Sequence, residues 1–314
     1  MSSVIVATAF GGPEVLSVVD QPVSPPGPGE VAVDVRAAGV NPIDVKLYGG
    51  DMGDDESRLP MRLGFEAAGV VTSVGQSATG PAGPVDVGDE VIVFRTKGAY
   101  AEHLVVPVTS VVPKPPNMTF EQAAGLMLTG ATAVHALTAT RVDAGDTVLV
   151  HGGAGGVGLM AVQIAVADGA KVIATASQKN HDLLRELGAE PVTYGDGLAD
   201  RVREHAPDGV DVALDLVGSD EAVDVSLELL VDIARIATIA AFGRADSGIQ
   251  VLGNGPGGDP GTEIRDNARL DLVERVRAGR LQVRVAATFA LTDAAAAHQQ
   301  VAGGHAAGKI ILLP

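Results

Sequence analysis

Apolar and polar positions along the first third of the chain follow the short period of strands. Val31-Ala32-Val33-Asp34-Val35-Arg36 alternates as a strand should, and residues 67–74 and 90–94 read as further strands. Proline and glycine clusters at 22–29 and 80–84 separate them, and the polar stretch 51–62 reads as a loop. Near residue 119 the period changes. Thr119 is placed to cap a helix, Gln122 completes a capping box, and a helical stretch runs from Phe120 to about Thr140. From Thr147 to about Arg280 strands and helices alternate, with strand candidates at 147–151, 171–176, 190–194, 210–215 and 235–240. That alternation predicts an α/β architecture, a parallel sheet covered by helices. Residues 251–261 read as a glycine- and proline-rich loop. In the tail, 282–287 reads as a strand, 293–301 as a short helix and 309–313 as a strand. A mainly β segment and a β-containing tail thus flank the α/β block. This predicts a discontinuous first domain, 1–118 with 282–314, around a second at 119–281.

The strand 147–151 runs into a glycine turn. Gly153, Gly155 and Gly158 fill the glycine positions of G-x-G-x-x-G, with Ala154, Gly156 and Val157 between them. Ala161, Val162, Ile164, Ala165 and Val166 continue as an apolar helical face, and 171–176 supplies a second strand. Strand, turn, helix and strand fit within about 30 residues, the βαβ context of a dinucleotide site. A helix that begins on bare backbone points its amide N–H groups outward, and its dipole favours a pyrophosphate. The alternative is a tight turn that binds no nucleotide. NAD sites usually place Asp or Glu at the end of the second strand, about 20 residues past the glycines, to bind the ribose 2′-OH. Here that strand ends Thr175-Ala176-Ser177-Gln178-Lys179, without a carboxylate. Ser177 can donate a hydrogen bond and Lys179 supplies charge, which favours NADP(H). Lys179 reads equally as a solvated lysine at a helix start.

Composition narrows the function classes. The chain has 314 residues, 46% hydrophobic and 19% charged, enough for two soluble globular domains. No apolar run approaches the roughly 18–20 residues of a spanning helix, and the first residues lack a signal peptide's basic and apolar regions. A cytoplasmic location is expected. With no cysteine, disulfides and thiolate metal sites are excluded. A formal charge of −17 argues against binding nucleic acid or an anionic membrane. The 3% aromatic content, with no tryptophan, argues against a base-stacking platform.

Several further motifs join the turn: Phe10-Gly11-Gly12-Pro13-Glu14-Val15-Leu16, Ala37-Ala38-Gly39-Val40-Asn41-Pro42-Ile43-Asp44 and Gly64-Phe65-Glu66-Ala67-Ala68-Gly69. Arg185-Glu186-Leu187-Gly188-Ala189, Leu214-Asp215-Leu216-Val217-Gly218 and Gly308-Lys309-Ile310 complete the set. Together they resemble, over nearly the whole length, the zinc-independent medium-chain dehydrogenase/reductases of the quinone oxidoreductase group. The resemblance implies a Rossmann doubly wound sheet beside a discontinuous, mainly β, GroES-like substrate domain. Zinc-dependent relatives read Gly-His-Glu where this chain reads Gly64-Phe65-Glu66, and place Cys near Asn41. Phe65 has no lone pair for a metal, so no metal site is expected.

Without zinc the acceptor must already be electrophilic: a quinone or an α,β-unsaturated carbonyl such as an enone or alkenal. The resemblance places Asn41 near the nicotinamide, as a donor to ribose or to a carbonyl oxygen; the other reading is a helix cap. Lys46 stands where enone and alkenal reductases often carry lysine, the other reading being a surface lysine, and Tyr48 is a further donor candidate. Thr129 matches the segment along the nicotinamide, and Tyr194 the tyrosine near the adenine ribose and 2′-phosphate. Val217 and Gly218 follow a strand, where such sheets bind ligands. Phe242 follows the next strand and should border the nicotinamide. The resemblance also implies a homodimer built on an edge strand, with 235–242 and the residues just after it as that edge. Two alternatives remain: an enoyl-thioester reductase, and a non-catalytic NADPH-binding or redox-sensing protein.

Overall fold

Residues 1–304 and 306–314 are described by a computed structural model of the chain. It divides into two units. The first comprises Met1–Leu128, Arg269–Gly279 and Val283–Pro314; the second comprises Thr129–Ala268 and Arg280–Gln282.

In the first unit, β1 (Ser2–Ala7) pairs antiparallel with β2 (Leu16–Gln21). The pattern does not reveal either strand, because the exposed face of β2 blurs its alternation. Next comes β3 (Glu30–Val40), largely buried, with two bulges against its neighbour. Asn41 caps α1 (Pro42–Tyr48), with Pro42 at its first turn and the Asp44 carboxylate accepting from the Asn41 amide at 2.9 Å. Strand β4 (Met61–Arg62) joins β1, and β5 (Glu66–Val74) lies along β3. After the small hairpin of β6 (Thr79–Gly80) and β7 (Gly83–Pro84) come β8 (Glu90–Phe94), β9 (His103–Pro107) and β10 (Val111–Pro113). The main sheet runs β10-β8-β5-β3, then Lys309–Leu313 and Val285–Ala290, with β9 also on β3. The chain therefore returns to this unit at its end. The tail strand begins at Val285, three residues later than the pattern suggests, and pairs parallel with Lys309–Leu313.

The single helix expected over 120–140 is two: α2 (Phe120–Ala123) and α3 (Met127–Ala139). Gly125 lies in the break, where a Cβ would stand 2.9 Å from Lys309 Cγ, so the chain passes too close for a side chain. Because α2 packs on β3 and β5, the first boundary falls after Leu128, ten residues beyond the expected 118.

The second unit is a doubly wound parallel sheet. Its elements are β11 (Thr147–His151), α4 (Gly156–Ala167), β12 (Lys171–Thr175), α5 (His181–Glu186), β13 (Glu190–Val192) and α6 (Leu198–His205). They continue with β14 (Val212–Asp215), α7 (Asp220–Leu229), β15 (Ile236–Thr238) and β16 (Gln250–Val251). Strand order is β13-β12-β11-β14-β15-β16, all parallel. The order reverses between β11 and β14, so the carboxyl ends of these strands frame the crevice where such sheets bind ligands. Within the segment expected to supply the edge, Ile236–Thr238 is internal, paired on both sides; the edge on that side is the two-residue β16, among the residues that follow, and β13 forms the opposite edge. Among the described residues no helix is long and apolar enough to cross a membrane.

Candidate functional site

The glycine turn sits at the carboxyl end of β11. The left-handed residue is Gly152 (φ 78°), one position before the motif glycine expected to make the turn. Gly153 serves another purpose. Its amide donates to Thr175 O at 2.9 Å, and a Cβ there would lie 2.7 Å from Ala174 Cβ. A Cβ on Gly158 would stand 2.2 Å from Gly152 O, so this glycine lets α4 press against the turn. Gly155 differs: a Cβ would meet nothing nearer than Gly152 O at 3.4 Å. The space above Gly155 is open, and α4 begins immediately after it. The first amides of α4 have no intrahelical carbonyl, which fits a pyrophosphate. Ala154 is buried below, and the Val217 side chain closes on the turn, since a Cβ on Gly152 would lie 2.6 Å from Val217 Cγ2.

Val217 and Gly218 were expected to face the ligand. Their amides do not, because both donate to the buried Asp215 carboxylate, at 3.0 and 2.8 Å. The other Asp215 oxygen accepts from Thr238 Oγ1 at 2.7 Å, tying the turns after β14 and β15 together. Val217 offers its exposed side chain instead. His151 is buried at the end of β11, bonded to Ser226 Oγ at 3.1 Å, and burial pulls its pKa down to about 4. It is a neutral core residue. Thr129 is buried on α3. Phe242 lies with its ring against Gly253 and Gly255, so the 251–261 loop packs on it.

At the end of β12, Ser177 is half-buried and Lys179 exposed, with no carboxylate among the described residues bonded to either. Thr175 pairs with Val192, which places Ser177 and Tyr194 each two residues beyond that pair on adjacent strands. Tyr194 is exposed.

The first unit holds a buried polar network that pattern reading missed. Lys309 Nζ donates to Asn41 Oδ1 (2.5 Å), Glu66 Oε1 (2.9 Å) and Val40 O (3.1 Å). Asn41 Nδ2 donates to Glu66 Oε1 at 3.1 Å and to Gly39 O at 3.3 Å, and Glu66 Oε2 accepts from the Leu128 amide at 2.8 Å. Both amide hydrogens and the oxygen of Asn41 are thus engaged, and the residue is buried. The donors expected to serve ribose or substrate are engaged here, and the alternative reading of Asn41 as a helix cap agrees with its place at the start of α1, where it joins helix, sheet and ion pair.

Tyr48 is likewise not an available donor. Its hydroxyl meets His298 Nδ1 at 2.9 Å in the interior, and burial first, then the charges of Asp44 and Glu14, push its pKa up to about 12. His298 Nε2 meets the Tyr100 hydroxyl at 3.2 Å, and that hydroxyl donates to Asp44 Oδ2 at 2.9 Å. The chain of partners assigns the His298 proton to Nε2, with Nδ1 accepting from Tyr48. Lys46, half-buried in the last turn of α1, has no hydrogen-bond or ion-pair partner among the described residues. Glu66 and Lys309 did carry a signal: each is a lone charge opening an apolar strand.

Residues 27–116 match the family described as alcohol dehydrogenase GroES-like domain, and residues 156–253 match the zinc-binding dehydrogenase family. The quinone oxidoreductase of Pseudomonas aeruginosa is 34% identical over the whole of both chains. The Escherichia coli quinone oxidoreductase, solved in complex with NADPH, superposes with a TM-score of 0.86 at 28% identity, covering 99% of this chain and 100% of that one. The CurK enoyl reductase superposes equally well, at a TM-score of 0.86, 26% identity and 99% of each chain.

Proposed function

The chain belongs to the quinone oxidoreductase group of the medium-chain dehydrogenase/reductase superfamily, with a GroES-like first unit and a Rossmann second unit; from that premise we propose an NADPH-dependent reductase of quinones and α,β-unsaturated carbonyls that works without catalytic zinc. The observation that carries the cofactor choice is the end of β12. Ser177 and Lys179 stand there with no carboxylate, beside a glycine turn whose open Gly155 leaves room for a pyrophosphate.

When bound, NADPH supplies hydride from its nicotinamide C4. Negative charge then develops on the acceptor's carbonyl oxygen, where a hydrogen-bond donor stabilises it. Lys46 is that donor, since its ammonium has no partner among the described residues while Asn41 and Tyr48 are committed elsewhere. Zinc-free chemistry is supported by the donor set. The chain has no cysteine, Phe65 offers no lone pair, and the Asn41 oxygen is held by the Lys309 ammonium, a cation already in place. The fold similarity to an enoyl reductase favours enoyl thioesters as a second acceptor class. A homodimer would pair the β16 edges.

The test is NADPH consumption over a panel of quinones, enones, enoyl thioesters and aldehydes. Turnover of quinones or enones with NADPH preferred over NADH supports the proposal. Turnover of thioesters alone selects the second class, and no turnover across the panel overturns the enzymatic reading.

A further inference from the structure

The loop after β13 is braced by one side chain. Arg201, on α6, donates from Nε to Thr193 O at 3.0 Å, from Nη2 to Gly195 O at 2.8 Å and from Nη1 to Asp196 O at 2.7 Å. Gly195 (φ 96°) and Gly197 (φ 77°) take left-handed conformations, which lets these carbonyls converge on a single guanidinium. Among the described residues no carboxylate shares it, so the planar fork is used on backbone, a geometry that lysine cannot reproduce. The residue in the middle of this held segment is Tyr194. Its side chain is 60% exposed and its hydroxyl has no partner among the described residues. The backbone is fixed while the aromatic group it carries is left unengaged.

Neighbouring groups suggest what engages it. The Ala176 amide donates to Val192 O at 3.0 Å, so the pairing of β12 with β13 extends one residue past β12, and Ser177 and Tyr194 come shortly after the ends of these strands. Ser177 Oγ accepts from Asn180 Nδ2 at 3.3 Å, which leaves its own hydroxyl proton to donate. Lys179 adds an exposed cation two residues on. A seryl hydroxyl, an ammonium and a phenol at the ends of adjacent strands suit a phosphate dianion.

We infer that Arg201 is a positioning residue for the 2′-phosphate of NADPH: by holding carbonyls 193, 195 and 196 it keeps the Tyr194 hydroxyl in place to complete a site with Ser177 and Lys179. This rests on the NADP(H) reading of the cofactor site. NADH has no 2′-phosphate for that hydroxyl to complete a site around, so the effect of Arg201 falls on NADPH.

The experiment measures NADPH and NADH dissociation constants for the full chain, Arg201→Lys, Tyr194→Phe and the double variant. Arg201→Lys keeps the charge and removes the fork. The expected result is an NADPH affinity lower by about fivefold or more, NADH affinity within about twofold of wild type, and no further loss when Arg201→Lys is added to Tyr194→Phe. Equal weakening of both cofactors, or fully additive losses, overturns the inference. Tyr194→Phe changes only an exposed hydroxyl and decides the matter even if Arg201→Lys does not fold: unchanged NADPH affinity overturns the inference too. A wild-type chain that binds NADH as tightly as NADPH is a separate outcome, and overturns the cofactor reading itself.

Discussion

Asp44 accepts a hydrogen bond of 2.9 Å from the Tyr100 hydroxyl, and both side chains are fully buried. Burial raises the Asp44 pKa from 3.8 to about 7, despite the opposing effects of Tyr100, the Asn41 amide, Lys309 and the Gly64 amide. The folded chain therefore holds this proton more tightly than the unfolded chain. Stability from this source is fully present below about pH 4 and is lost as pH rises to about 7. His151 and His298, both depressed to about 4 by burial, act in the opposite sense, losing stability as pH falls from about 6.5. The informative quantity is thus a difference. Urea unfolding of wild type minus Asp44→Asn should show the wild type losing a few kcal/mol, relative to the variant, between about pH 4 and pH 7. Parallel pH profiles would show that Asp44 does not titrate in this window.

Lys309 and Glu66 form a buried ion pair, 4% and 0% exposed, at 2.9 Å. Removing one partner leaves the other charged and desolvated. Lys309→Met should destabilise by about 3–5 kcal/mol. Lys309→Met combined with Glu66→Gln should recover part of that loss, because no uncompensated charge remains. Chemical denaturation of the two single variants and the double variant measures the coupling. Additive losses would mean the pair is not coupled.

How much of the fold is legible in the sequence depends on how local the signal is. The parallel sheet, its order of strands and helices and the glycine turn all show through short-range periodicity and turn chemistry. β1 and β9 do not, because their identity comes from partners distant in sequence, such as Tyr100 O accepting from the Ile5 amide. The bonds that engage Asn41 and Tyr48 are hidden from the sequence for the same reason. Each is polar and close to the expected substrate residues, and only tertiary partners reveal their bonds: Glu66 accepts from the Asn41 amide, Lys309 donates to its oxygen, and His298 accepts from the Tyr48 hydroxyl. The break between α2 and α3 has a local signal in Gly125, a poor helix former, but the close passage of Lys309 beside it does not show in the sequence.

Gly158 and Gly155 should separate packing from binding. A methyl on Gly158 would stand 2.2 Å from a backbone oxygen that cannot yield without moving the turn. Gly158→Ala should cost about 1–3 kcal/mol in stability and weaken NADPH binding at least about tenfold. Gly155 has φ −73° and open space above it, so Gly155→Ala should fold with stability within about 0.5 kcal/mol of wild type. Its methyl nevertheless enters the space a phosphate would use, and NADPH affinity should fall. Calorimetric binding and thermal unfolding, run in parallel, check both. Unchanged affinity in Gly155→Ala would remove the pyrophosphate from this turn.

Lys46 and a catalytic metal are competing answers to one question, namely what stabilises the developing oxyanion. If Lys46 does so, Lys46→Ala should lower kcat on enones by about 10²-fold, within the usual cost of losing one oxyanion donor. NADPH affinity should not change, since the lysine acts on the acceptor. Lys46→Met, which keeps most of the side-chain stem but not the charge, should behave like Lys46→Ala. A strong chelator should leave wild-type turnover intact. The two measurements discriminate jointly. Turnover lost to the chelator but preserved in Lys46→Ala would assign the oxyanion to a metal, and with it overturn the inference drawn from Phe65 and from the Lys309 ammonium on Asn41.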